Sequence, residues 1–433
     1  MLILNLLPLM ITAAGVFFLI KLKFFFIAHP IRTAKMMKIA VGRKESRKAV
    51  CLALAGTLGV GNIVGVAYGI SVGGAGAVFW IFASGVFSSV IKYAESTLAA
   101  DKRNGKFGGM SYVLSNSFGR LGKLFGIAYS LFCLALSLTM GSALQSRSAI
   151  FAISEFASVP EYLIAFIFSV LVFAVVVGGS QKIEKAVSRI IPVSTIIYIA
   201  LCLAVIVINL SSLPSVLLRI LREAFSFTAF GGGVSSFVAI RAMREGYARG
   251  LLSNEAGTGT SSMAQCKSSL SPSFVGLLGI LEVFFDTVLL CTLTGVAVLI
   301  SGADAFVGSG ISIIIRSVSV IPFGELVVGV LIFAFAYSTV VCWYYYGCEC
   351  IRYIFGDVRS ASYTALFVFS VFIGFVISES VLISATDILL FFMSLLTLFA
   401  LIKNSERIVV LSENYGLLKK SDVREKRESR ILD

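Results

Sequence analysis

The chain has 433 residues, of which 58% are hydrophobic and 14% charged, against about a quarter charged in an ordinary soluble domain. A single soluble core stops growing near about 250–300 residues, so this composition, with its 36 phenylalanines, excludes a soluble enzyme and predicts an all-α integral membrane protein whose first partner is the lipid bilayer. The 36 Lys and Arg against 23 Asp and Glu leave +13 with His29 neutral, an excess that reads as cytoplasmic loops of a multispanning protein and not as a nucleic-acid surface.

About 20 apolar residues cross the roughly 30 Å of bilayer hydrocarbon, and about eleven segments qualify: 2–22, 49–71, 75–100, 121–154, 160–179, 187–209, 213–243, 272–301, 322–348, 360–378 and 381–402. The first lacks a basic leader and a small-residue cleavage site, and is expected to stay as a helix. Lys21, Lys23, Arg32, Lys35, Lys38, Arg43, Lys44, Arg47 and Lys48 then crowd one loop, which places that loop in the cytoplasm and the N-terminus outside. Further inner loops are expected at Lys102–Lys123, at Lys182–Arg189 and at Arg241, Arg244, Arg249 and Lys267. The outer connections carry Glu155, Glu161, Asp304 and Glu379, with Arg316 an exception, and the tail from Lys403 is charged and cytoplasmic. The expected location is the cell (inner) membrane. The eight cysteines fall mostly in apolar runs without disulfide or zinc spacing; Cys348 and Cys350, flanking Glu349, are a weak metal signal.

Two segments carry helix-breaking glycines. Residues 55–65 read Ala-Gly-Thr-Leu-Gly-Val-Gly-Asn-Ile-Val-Gly, and 225–234 contain Gly231-Gly232-Gly233. Each glycine costs up to about 1 kcal/mol against alanine in a helix, so both stretches are predicted unwinding points. Unwound backbone inside a membrane is tolerated only where protein or a water-filled cavity satisfies it. Such a break offers N–H donors to a carboxylate and loosened carbonyls to a sodium-sized cation. Gly61-xxx-Gly65 alone would also suit close helix packing. Setting the first segment aside, a broken helix opens each group of five, the layout of an inverted repeat: residues 1–48 form an N-terminal extra helix and basic loop, 49–209 a first five-helix repeat, 213–402 a second, and 403–433 a charged tail.

The motifs Gly56-Thr57-Leu58-Gly59-Val60-Gly61-Asn62-Ile63-Val64-Gly65, Gly73-Gly74-Ala75-Gly76-Ala77-Val78-Phe79-Trp80, Lys92-Tyr93-Ala94-Glu95, Arg249-Gly250-Leu251-Leu252-Ser253-Asn254-Glu255-Ala256-Gly257-Thr258-Gly259, Asp286-Thr287, Ser338-Thr339 and Trp343-Tyr344-Tyr345-Tyr346-Gly347 occur in this order. In them the chain resembles the alanine or glycine:cation symporters, the sodium:alanine symporter family, which share a leucine-transporter architecture of five plus five helices with the second and seventh helices of this chain broken. The resemblance implies sodium-coupled symport of a small neutral amino acid, alanine or glycine, into the cytoplasm, with sodium as coupling ion and no organic cofactor. It further implies that the backbone of Gly59 and Gly61 receives the substrate carboxylate with Thr57 and Asn62 as polar neighbours. Gly231 and Gly232 would offer the counterpart break. The carbonyls of Ala55 and Leu58 with the hydroxyls of Ser338 and Thr339 would hold sodium. Without the resemblance, those hydroxyls more often bond to their own helix one turn back.

Gln145 is a candidate substrate or gate contact, or an interhelical hydrogen bond. Trp343, one turn past Thr339, is a candidate pocket wall or packing residue. Asn254, Glu255 and Gly257 lie in a polar segment that serves as a cytoplasmic gate or as support for the seventh helix. Arg147 departs from the small polar residue of most relatives; two positions past Gln145 turns it about 200° away, toward an outer vestibule. Thr258 and the absence of a Pro-Asn pair near Met393 are further departures. Asp286, Glu282, Glu95 and Asp387 are intramembrane charges that act in the site or pair at helix interfaces. In a proton-coupled carrier, the main alternative, Asp286 or Glu282 would be the relay. One histidine and no nucleophile-base pair leave little for an enzyme, and no filter sequence suggests a channel.

Overall fold

The computed structural model describes residues 2–105, 107–156, 158–225, 234–356 and 361–414. Its described part is helical, apart from turns and one isolated bridge between Asn104 and Phe107. In chain order, α1 is Leu2–Lys21, and α2 (Phe25–Ala28) and α3 (Pro30–Val41) form the basic connection after it. Pro30 opens α3 at a position where a missing N–H leaves no helix bond unmade.

The pair α4 (Lys44–Thr57) and α5 (Val64–Gly73) is bent by 67° across a short break. Next come α6 (Gly76–Asp101), the short α7 (Met110–Ser117), and α8 (Gly122–Leu138) with α9 (Gln145–Ser154), which run as one span through the π-helical turn Thr139–Leu144. Then follow α10 (Glu161–Val176), α11 (Gly179–Ile208), α12 (Leu213–Phe225), α13 (Val234–Asn254), α14 (Ser262–Gln265), and α15 (Pro272–Val283) with α16 (Thr292–Ile300), joined by a second π-helical stretch, Phe284–Cys291. The chain continues through α17 (Gly310–Ser317), α18 (Gly324–Phe355), α19 (Ala361–Ile373), α20 (Glu379–Lys403) and α21 (Ser405–Asn414).

Among the described residues six helices are long and apolar enough to cross a bilayer, seven with the bent α4–α5 pair. Three shorter apolar helices cover 6–21, 161–176 and 361–373. The segment expected at 213–243 differs. α12 buries Val216, Ile220 and Ala224 on one face and exposes Leu217, Leu218 and Leu221. Glu223 on α12 accepts hydrogen bonds from the amides of Ala75 and Gly76, satisfying the free N–H groups at the start of α6. Arg219 pairs with Glu223 and Asp304, both at 2.8 Å. Arg241, Arg244 and Arg249, expected in a loop, lie on α13 itself; with Glu245 they give α13 the density of charge that reads as a loop in a hydropathy scan. The predicted break at Gly231 and Gly232 lies outside the described residues.

The interior forms around α6, which packs against α13 and α15. A Cβ at Gly279 on α15 would fall 2.8 Å from the Lys92 carbonyl, so only glycine lets the two backbones approach this closely, the usual device of membrane helix pairs. One ion pair crosses the same interface: Lys92 Nζ and Glu282 Oε1 stand 3.2 Å apart with both side chains fully buried.

Candidate functional site

The break in the second span lies where the sequence places its glycines. α4 ends at Thr57, Leu58 leaves helical geometry, Gly59 is extended (φ −107°, ψ −162°), and a single 3-10 turn, Val60–Asn62, precedes α5. The freed backbone groups are met by side chains, one from within the break and two from other helices. The Gly59 amide donates to Asn62 Oδ1 at 3.2 Å and the Val60 amide to Gln145 Oε1 at 3.1 Å. On the carbonyl side, Thr339 Oγ1 on α18 donates to the Leu58 carbonyl at 3.4 Å. Ser338 instead bonds the carbonyl of Phe335 in its own helix at 2.9 Å, the back-bonding habit of helix serines. Ala55, Leu58, Ser338 and Thr339 are all buried at this break.

A cavity of about 70 Å³ lies against it. Gly56, Thr57, Gly59 and Gly61 form one wall, Met140, Leu144 and Gln145 of the α8–α9 span a second, and Arg249 and Leu252 of α13 a third. Tyr68 and Glu379 lie at its mouth, where it meets a vestibule of about 560 Å³ that they also line. That vestibule opens at the end of the molecule carrying Glu155 and Glu379. A separate crevice of about 630 Å³ at the other end, lined by Tyr344, Tyr345, Glu349 and Arg352 among others, shares no lining residue with the first cavity. Among the described residues, then, the cavity shares its lining with the vestibule at the Glu379 end and not with the crevice at the other.

Not every expected residue reaches the cavity. Asn62 is buried and turned away from it, donating to Ser253 Oγ at 2.8 Å and to both the side chain and the backbone carbonyl of Asp286. Trp343 packs against Gly141 and stacks edge-on with Tyr346, behind the cavity wall. Arg147 lines the vestibule, donates to the carbonyls of Phe375 and Ile377 at 2.8 and 3.0 Å, and lies over the Phe151 ring. Asp286 is the centre of a buried network: Ser253 and Thr287 donate to its Oδ2, each at 2.8 Å, and Asn254 Nδ2 donates to Thr287 at 3.1 Å.

The polar segment after α13 is buried. Asn254, Glu255, Thr258 and Thr260 are at most 3% exposed, and Thr287, which holds Asn254, sits midway along the span 272–300. Glu255, Gly257 and Gly259 all have positive φ, 52°, 87° and 76°, so the chain turns sharply here with non-helical backbone inside the protein. The Gly257 amide donates to Glu95 Oε1 at 2.6 Å, and the Thr258 carbonyl accepts from Tyr129 at 2.8 Å and Thr397 at 3.2 Å. Sequence reasoning missed this second break because its glycines are spaced singly among polar residues; the combination of Asn, Glu and Gly after a charged helix was the available signal. It also missed Arg249, Tyr68 and Glu379 as cavity residues, Arg249 because its helix was read as a loop.

A profile of the sodium:alanine symporter family matches residues 1–429. The sodium/alanine symporter AgcS of Methanococcus maripaludis is 30% identical over 96% of this chain and 95% of its own. The amino-acid carrier protein AlsT of Bacillus subtilis is 30% identical over 78% of this chain and 74% of its own, and the probable sodium/glutamine symporter GlnT of the same organism 29% over 79% and 73%. Among solved structures, a Na+-coupled sialic acid symporter superposes with a TM-score of 0.52 at 11% identity, covering 93% of this chain and 86% of that one. A manganese transporter of Eremococcus coleocola gives 0.51 at 11%, covering 90% and 91%. At that identity the likeness extends to the fold.

Proposed function

The chain belongs to the sodium:alanine symporter family and is a cation-coupled amino-acid symporter, and we propose that it carries a small neutral amino acid, alanine or glycine, into the cytoplasm together with sodium. The observation that carries this reading is the break between α4 and α5. α4 ends with carbonyls and the negative end of its dipole at the Thr339 hydroxyl, while α5 begins with glycine backbone and the positive end of its dipole at the cavity. A hard cation is held by oxygens without added charge, and an anionic carboxylate by amides, a few ångströms apart.

In this reading sodium takes the carbonyls of Ala55 and Leu58 and the hydroxyls of Ser338 and Thr339. The Ser338 hydroxyl, bonded to the Phe335 carbonyl, turns from it to reach the ion. The substrate carboxylate lies on Gly59 and Gly61 beside Thr57, taking the Gly59 amide over from Asn62 Oδ1, and Gln145 holds the break in shape through Val60. Sodium then favours the substrate because it fixes the same backbone, and the coupling is reciprocal. The buried turn 255–261 is the counterpart break of an inverted repeat. The Glu379 end faces outside, and rocking of the broken helices opens the site alternately to the two sides.

The test is equilibrium binding of labelled alanine to the purified protein during titration with sodium chloride or potassium chloride. Sodium alone should raise alanine affinity, by the factor by which alanine raises sodium affinity. Equal binding in the two salts would overturn the sodium assignment, and the absence of binding in either would overturn the substrate.

A further inference from the structure

Beside the turn 255–261 lies a cluster of buried carboxyl groups that the proposed transport reading does not use. Glu95 on α6, Glu255 in the turn and Glu282 on α15 are all at most 1% exposed. Lys92, one turn before Glu95, is matched to Glu282 and donates to Ser261 at 2.6 Å. Among the described residues neither Glu95 nor Glu255 takes part in an ion pair. Fully ionised, three carboxylates against one ammonium would leave an excess of two negative charges in the protein interior. An uncompensated buried charge of this kind costs several kcal/mol, and a carboxyl so placed takes up a proton instead.

The hydrogen bonds show which carboxyl oxygens are met and which are bare. Glu95 Oε1 accepts the Gly257 amide at 2.6 Å, and Glu95 Oε2 is buried without a partner. Glu255 Oε2 accepts the Thr260 hydroxyl at 2.6 Å, and Glu255 Oε1 is buried without a partner. Each carboxyl is therefore half satisfied, with one bare oxygen. Independently, Gln265, fully buried and held by its amide nitrogen to Glu282, presents an amide oxygen with no donor. Three oxygens of the cluster thus lack a donor, and Gln265 Oε1 among them is free to accept from a protonated carboxyl. Among the described residues no three carboxylate, thiolate or imidazole groups converge to hold a metal ion, which favours the proton over a metal as the ligand.

We propose that Glu95 and Glu255 form a proton-binding site on the second break. In the arrangement described, closed at the end away from Glu379, both carboxyls are neutral, each having taken one proton from water. When the 255–261 turn moves, the bare oxygens meet water at the other end and each gives its proton back, restoring the carboxylate. Lys92 on α6, Glu282 and Asp286 on the α15–α16 span, Tyr129 on α8, Tyr346 on α18 and Asp387 on α20, which shares a small cavity with Ala256 and Thr258, are the other titratable groups facing the turn. Asp286 is already met by three donor side chains and Glu282 by two, which leaves Glu95 and Glu255 as the groups that change. The movement rests on the transport reading above; the bound protons do not.

The first test is infrared difference spectroscopy of the purified protein titrated with pH. The C=O stretch of protonated buried carboxyls should lose one component in E255Q and another in E95Q. Spectra in which both variants keep the wild-type bands, or a wild type without such bands, would overturn the proposal whether or not alanine is transported. The second is alanine uptake into proteoliposomes at fixed sodium with an inward proton gradient. Wild-type accumulation should rise by up to about tenfold per coupled proton for one pH unit. E255Q and E95Q should each still exchange alanine and each lose one proton's share of the gradient response, and the E95Q/E255Q double variant should ignore the gradient. Gradient sensitivity at the wild-type level in both single variants or retained in the double variant, or a sodium stoichiometry that falls in E255Q with no change in proton dependence, would overturn it.

Discussion

Gly59 is the residue on which the proposed sodium and substrate sides of the break meet. A Cβ there would stand 2.9 Å from Gln145 Oε1 and 3.0 Å from Thr339 Oγ1, inside van der Waals contact with a group from each side. Gly59→Ala should therefore abolish sodium-dependent alanine binding while the purified protein keeps its helical circular dichroism; binding within twofold of wild type would contradict the close approach. Gln145→Ala leaves the Val60 amide without its partner, a loss of about 1–3 kcal/mol, or about 5–150-fold in alanine affinity, read by the same binding assay. Thr339→Ala removes the one hydroxyl that already crosses to α4 and should raise the half-saturating sodium concentration by about tenfold, more than Ser338→Ala, whose hydroxyl is bound within its own helix.

At the scale of elements, the two breaks are joined through Asp286. Asn62 follows the first break, Ser253 and Asn254 precede the second, and all three are tied to Asp286 or its neighbour Thr287. Asp286→Ala strands these buried donors, and the expected result is a drop in thermal stability of several degrees with loss of transport; a stable protein with altered pH dependence alone would make Asp286 a proton relay instead. The first break was legible in the sequence because four glycines and an asparagine interrupt an otherwise apolar run, a local signal that backbone physics reads directly. The second was not, because what keeps 255–261 inside the protein is tertiary: Glu95 on α6, Tyr129 on α8 and Thr397 on α20 supply the partners. No local pattern around Asn254 names them. The arginines of α13 misled for a related reason. Hydropathy counts charges, but Arg249 lies over the Tyr68 ring and lines a cavity, an environment only neighbouring helices create.

For the whole molecule, composition and the spacing of apolar segments were enough to predict a membrane-embedded helical bundle, and the long helices and the bent pair agree with that. Which end is open is a property of packing. The cavity meets the vestibule through Tyr68 and Glu379 and is closed toward Tyr346, whose hydroxyl lies against Gly56. Alternating access predicts that a cysteine placed at Ser148, on the cavity and vestibule walls, reacts with a membrane-impermeant thiol reagent in the absence of substrate and is protected by sodium and alanine together; equal labelling in all conditions would argue against closure over the site. The central claim, that sodium bound at the α4 break drives amino-acid uptake, is tested most directly by accumulation of labelled alanine in proteoliposomes with and without an inward sodium gradient, comparing wild type with the Ser338→Ala/Thr339→Ala double variant. Accumulation that requires the gradient and disappears in the double variant is the predicted result. Accumulation indifferent to sodium, or gradient-driven uptake that survives loss of both hydroxyls, would contradict it.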